Sequence, residues 1–238
     1  MSDPSNLKIK IFLDGANEDD MLAAYKNPLV KGFTTNPSLM RKAGVKDYEE
    51  FARGMVEKMP DRPISFEVFA DEFDEMERQS MEITTWGENV YVKIPITNTK
   101  SESTVPLIKR LRGEGVKINI TALMTVEQTR HLIDGMGDGP SSYVSVFAGR
   151  SGDRGWDPVP MMEECLALTN QRENAELLWA STRQTYNIIE ADRMGCHIIT
   201  VPGAMIQQLS KFGDDMTAHS LETVQIFYDD AMSAGYTL

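Results

Sequence analysis

Cysteine is nearly absent from this chain, as are the usual patterns that bind metals or nucleotides. Two cysteines in 238 residues, Cys165 and Cys196, make no disulfide framework and stand at no metal-ligand spacing. Both read as small buried hydrophobes. The three histidines, His131, His197 and His219, fall in no HExxH motif and pair with no cysteine, so no zinc centre or other metal is expected. Neither GxGxxG nor GxxxxGK followed by Ser or Thr occurs, which removes the common glycine-rich phosphate loops. Basic charge is also short: 24 Lys and Arg against 36 Asp and Glu leave a net charge of -12. Nucleic acid and anionic membranes draw their affinity from basic surface, so neither is an expected partner. The stretch 196–210, free of Asp, Glu, Lys and Arg, is too short and too broken by Pro202 and Gly203 to span a bilayer. No apolar run follows a basic start, so a cytoplasmic location is expected.

What is present is a rhythm. Eight short apolar segments recur, beginning at Leu7, Gly32, Pro63, Asn89, Lys117, Ser142, Glu176 and Cys196. Most are rich in Val, Ile, Phe and Tyr, as strands buried on both faces should be. Helical signals fill the gaps. Asn17 stands as a candidate N-cap before an acidic first turn, and Tyr48, Phe51, Met55 and Met59 form one stripe at spacings of three and four. Leu221, Val224 and Tyr228 form another near the end, before Gly235. Eight strands alternating with helices predict an α/β fold, a (β/α)₈ barrel occupying residues 1–238 as one domain. A doubly wound open sheet is the alternative, weakened by the missing phosphate fingerprint.

Polar residues interrupt these apolar segments near their ends: Asp14, Asn36, Glu67, Lys93, Asn119 with Thr121, Ser145 and Ser181. In such a barrel the C-terminal strand ends and the loops beyond them carry the chemistry. Lys93 poses the sharpest question, because a cation in an apolar strand must be paired, snorkel to water or lose its charge. An isolated strand lysine is ordinarily a surface residue. Two carboxylates, two amides and three hydroxyls arriving from other strands argue instead for an inward, neutral amine. Its established use is attack on a carbonyl to form a Schiff base, with Glu67 and Asp14 as the available acid and base. Arg150 follows the sixth strand, and Ser181 and Arg183 follow the seventh. Guanidinium forks beside a helix start suit a phosphate; Arg154 is either a third contact or a rim residue.

These segments, taken in order, resemble the transaldolase family in its short subgroup, which includes fructose-6-phosphate aldolase. "FLDGAN", "GFTTNPSLM" and "YVKIP" carry the resemblance, supported by "ITAL", "VSVFAGR" and "WASTR". It implies that Lys93 attacks C2 of a ketose, that Glu67 and Thr121 hold the shuttling water, and that Asp14 takes the C4 hydroxyl proton. Asn36, Asn119 and Ser145 would bind the retained dihydroxyacetone unit, and Arg150, Ser181 and Arg183 the phosphate. No cofactor is implied. The function so indicated is transaldolase activity within carbohydrate metabolism, through the pentose phosphate pathway, moving dihydroxyacetone between sugar phosphates.

Aldolase-type members carry Gln where Glu67 stands and Tyr where Phe147 stands, so both positions favour transfer over release of free dihydroxyacetone. That cleavage reaction is the alternative; a non-catalytic sugar-phosphate-binding barrel is a further one. The resemblance also implies a ring-shaped homo-oligomer, a decamer among the sizes, with the last helix, about 220–235, packed on a neighbour.

Overall fold

The computed structural model describes residues 4–237. Eight parallel strands hydrogen-bond in sequence order and close on themselves. They are β1 (Lys10–Asp14), β2 (Val30–Thr34), β3 (Ile64–Glu67), β4 (Val90–Pro95), β5 (Ile118–Leu123), β6 (Ser142–Val146), β7 (Ala175–Trp179) and β8 (Ile198–Val201). The expected (β/α)₈ barrel is therefore what forms. The segment at Gly32 begins two residues earlier than its apolar run, at Val30. Between and after the strands lie α1 (Glu18–Tyr25), α2 (Pro37–Lys42), α3 (Tyr48–Lys58), α4 (Phe73–Thr84), α5 (Val105–Gly113) and α6 (Val126–Gly135). Next come α7 (Ala148–Gly152), α8 (Pro158–Thr169), α9 (Asn187–Arg193), α10 (Gly203–Gln208) and α11 (Met216–Ala234). No described helix is long and apolar enough to cross a membrane.

Local chemistry explains the helix starts. Asn17 accepts from the Asp20 amide and opens α1; Asp47 does the same for α3 through Glu50. Each satisfies a backbone donor that the helix itself cannot. Met55 and Met59 of the predicted stripe are fully buried, with Tyr48 and Phe51 packed partly against the same core.

Strand side chains alternate between two environments. Outward residues such as Leu13, Phe33, Phe66, Val92, Ile94 and Trp179 join one large cluster between barrel and helices. Inward residues Phe12, Tyr91, Tyr143, Leu178 and Ile198 form a second cluster inside the barrel. There Tyr91 stacks on Tyr143 at 4.1 Å between ring centroids, and Phe12 meets Tyr143 edge-on at 5.6 Å. Gly32 on the neighbouring strand makes room, since a Cβ there would sit 2.6 Å from the Phe12 ring. This aromatic layer is a floor. Two residues further along the same strands, and so on the same face, come Asp14, Lys93, Ser145 and Thr200.

The final helix stands apart from the others. Its apolar stripe exists, but no residue of α11 is buried against its own barrel. Leu221, Val224, Phe227 and Tyr228 are all exposed.

Candidate active site

Above the aromatic floor, the C-terminal strand ends enclose a cavity of about 530 Å³. Ten of the eleven residues singled out from the sequence line it: Asp14, Asn36, Glu67, Lys93, Thr121, Ser145, Phe147, Arg150, Ser181 and Arg183. Asn119 does not. It is fully buried inside the barrel, where its amide donates to Ser65 Oγ at 3.0 Å and accepts from Ser145 Oγ at 2.6 Å. The amide thus braces two strands and reaches the cavity only through Ser145.

Register explains the central pair. Glu67 on β3 and Lys93 on β4 are directly opposed, so both project to the same face. Lys93 is 5 % exposed, which puts its amine inside the barrel and rules out snorkelling. The Nζ lies 3.1 Å from Glu67 Oε2 and donates to the Thr35 carbonyl at 3.0 Å. The apolar strand is thus only part of the amine's surroundings, as a carboxylate stands directly beside it. Tyr48 in turn fixes the Glu67 backbone, donating to its carbonyl and accepting from its amide, each at 2.8 Å.

Asp14 completes the set. Burial pushes its carboxyl above the usual range, the Lys93 charge pulls it down, and the hydrogen bond from Thr34 Oγ1 at 2.8 Å pulls it down further. Desolvation is the largest of these effects. Thr121, by contrast, carries a buried hydroxyl with no protein partner on the cavity wall. A polar cavity that leaves a hydroxyl unsatisfied is suited to a bound water or a substrate oxygen. Asn36 caps α2 with its side-chain oxygen, accepting from the Leu39 amide at 2.9 Å, which leaves its NH₂ for the cavity.

The far end is cationic. Arg150 lies over the Phe147 ring at 5.5 Å, and Arg183 is gripped through Nε and Nη2 by Asp153. Asp153 does not line the cavity and so holds the guanidinium from behind. Its carboxyl is drawn below the usual range, chiefly by Arg183. Arg154 is exposed and lies away from the cavity wall. At the helix start after the seventh strand, two backbone donors are already engaged. The Arg183 and Gln184 amides are both taken by Asn187 Oδ1, at 3.2 and 2.9 Å, before α9 begins. Two non-glycine residues with left-handed backbone, Ala122 (φ 63°) and Ser181 (φ 64°), line the cavity. Such strain collects where surrounding structure holds a site in place.

The sequence reading missed Thr34 and Thr200, both buried cavity residues. A signal was available, because Thr200 is a polar intrusion in the eighth strand like those of the other seven.

Residues 11–236 match the Transaldolase/Fructose-6-phosphate aldolase family. The chain belongs to that family. Among individual members, it is 33% identical over 204 residues to a probable transaldolase of Thermoanaerobacter sp. (strain X514), covering 85% of this chain and 90% of that one. A probable transaldolase of Herpetosiphon aurantiacus is 30% identical over 227 residues, covering 95% and 97%. Solved structures that resemble this transaldolase/aldolase-family fold include the tryptophan synthase α-subunit of Pyrococcus furiosus, with a TM-score of 0.57 and 11% identity, covering 89% of this chain and 94% of that one. Dihydrodipicolinate synthase from Rhodopseudomonas palustris gives 0.54 and 14%, covering 93% and 80%. At such identities the likeness concerns the barrel alone.

Proposed function

We propose that this chain is a transaldolase that moves a dihydroxyacetone unit between sugar phosphates through a Schiff base on Lys93. The observation that carries this is the inward amine of Lys93, paired with Glu67 on the wall of a cavity large enough for a sugar. The Lys93 ammonium passes a proton to Glu67 and its free amine attacks C2 of a ketose phosphate. A water between Glu67 and Thr121 carries protons as the carbinolamine loses water to give the imine. Asp14 then takes the C4 hydroxyl proton. The C3–C4 bond breaks, its electron pair passing to the protonated imine, and an aldose phosphate leaves. The enamine returns the three-carbon unit to an acceptor aldose phosphate, and water releases the new ketose. Arg150 and Arg183 hold the phosphate, with Ser181 beside them; Asn36 and Ser145 face the dihydroxyacetone end. The location we infer is cytoplasmic, and the route the pentose phosphate pathway.

The test is direct. With fructose 6-phosphate and borohydride, the protein gains a stable adduct on Lys93. In a separate reaction without borohydride, erythrose 4-phosphate takes up the three-carbon unit as fructose 6-phosphate releases glyceraldehyde 3-phosphate. An adduct without that transfer supports an aldolase instead, and no adduct removes both.

Phe147 favours transfer over cleavage because it brings no hydroxyl to protonate the enamine. Phe147→Tyr is expected to raise free dihydroxyacetone relative to transferred unit by roughly tenfold or more, within the range for a placed proton donor. Product analysis at fixed donor concentration checks this, and an unchanged ratio removes the argument for transfer.

We also propose that α11 packs on a neighbouring copy in a ring-shaped homo-oligomer. Its exposed Leu221, Val224, Phe227 and Tyr228 form an apolar face that an isolated chain would leave in water. Leu221→Asp with Phe227→Asp is expected to lower the mass seen by light scattering to that of one chain, with the barrel still folded. An unchanged mass places the interface elsewhere.

A further inference from the structure

Asp14 is flanked on both sides, because β1 pairs with β2 and with β8. From β2, Thr34 Oγ1 donates to Asp14 Oδ1 at 2.8 Å. From β8, Thr200 Oγ1 lies 2.6 Å from Thr34 Oγ1. A hydroxyl has one proton to give. When Asp14 is ionised, Thr34 must donate to the carboxylate, and Thr200 is then the donor in the short contact between the threonines. The chain of donation therefore runs from Thr200 to Thr34 to Asp14. The Thr200 backbone is held in turn, since Thr182 Oγ1 donates to its carbonyl at 2.8 Å. Both threonines are nearly inaccessible to solvent and both line the cavity.

We propose that Thr200 is a positioning residue for the Asp14 base, acting through Thr34 to hold the carboxylate oriented and ionised. The inference rests on the reaction proposed above. When Asp14 takes the C4 proton, no proton needs to travel further. The two hydroxyls turn over, so that Asp14 donates to Thr34 and Thr34 to Thr200. The relay thus has two states, matched to the two charges of the base. Cooperative polarisation along such a chain makes the Thr34 bond to the carboxylate stronger than a lone threonine would supply. The other charges facing Asp14 are the Lys93 ammonium from β4 and, behind it, Glu67 from β3; Arg150 and Arg183 stand at the far end of the cavity.

The experiment compares the wild type with Thr200→Val and Thr200→Ser. Two quantities are read: kcat/KM for transfer from fructose 6-phosphate against pH, and the rate of borohydride-trapped adduct formation with dihydroxyacetone, which has no C3–C4 bond to break. The base works ionised, so losing a group that favours ionisation raises the acid limb. Thr200→Val moves that limb upward by about half a pH unit, consistent with one indirect hydrogen bond. Adduct formation stays at the wild-type rate, and Thr200→Ser restores the limb. Should the valine variant fail to fold, Thr200→Ala is read in its place. A wild-type acid limb in the hydroxyl-free variant overturns the inference. So does an equal loss in adduct formation, which would indicate general disruption. No adduct in the wild type overturns the reaction itself, a separate and recognisable result.

Discussion

Lys93→Ala is expected to leave a folded barrel that gains no mass from fructose 6-phosphate and borohydride. Transfer should fall by roughly 10⁴- to 10⁶-fold, the scale on which deleting a covalent nucleophile acts. The fold should survive because the residue sits at the cavity wall, above the aromatic floor, and removes little from either apolar cluster. Glu67 loses its partner at 3.1 Å but is partly open to the cavity, where water can reach it. Intact-protein mass spectrometry and a melting curve read the two halves of this expectation. Normal turnover in the variant would remove Lys93 from the mechanism.

Gly149→Ala carries the second large effect, and its sign is unusual. Replacing a glycine within a helix by alanine normally stabilises by about 1 kcal/mol. Gly149 is the second residue of α7, and an added Cβ would fall inside the carbonyl oxygen of Ser181 and 2.8 Å from its carbonyl carbon. The obstacle is backbone and cannot rotate away. Either α7, which carries Arg150, or the 181–183 loop, which carries Arg183, must move. The protein should lose about 1–3 kcal/mol, the usual cost of overpacking, and its melting temperature should fall by roughly 2–12 °C. The KM for fructose 6-phosphate should rise about tenfold or more, while adduct formation with dihydroxyacetone, which has no phosphate, changes little. Equal losses for both would mean that the far arginines do not bind phosphate.

The barrel was legible because each strand had to be apolar on both faces, and its polar residues could then stand only where a cavity tolerates them. Period two did the rest, placing Asp14, Glu67, Lys93, Thr121 and Ser145 on the inner side. Spacing could not reveal where a side chain ends once it faces inward. Asn119 obeys the same rule as Lys93, yet Ser65 and Ser145 consume its amide inside the barrel. Nor could it reveal partners brought together only by closure: Thr34 and Thr200 are 166 positions apart and meet because β8 returns to β1. Two amides ahead of α9 are hidden from spacing for a similar reason: Asn187 reaches back to take those of Arg183 and Gln184. The stripe on α11 was correctly periodic, but periodicity does not say whose surface covers it.

The stacked Tyr91 and Tyr143 with Phe12 have a kinetic consequence. They stopper the barrel at its lower end, so among the described residues the cavity opens at the top. In the proposed reaction the departing aldose and the incoming one must share that passage, so the first has to clear it before the second can enter. Initial-rate plots against the two sugars should accordingly give parallel lines, the mark of a double-displacement sequence.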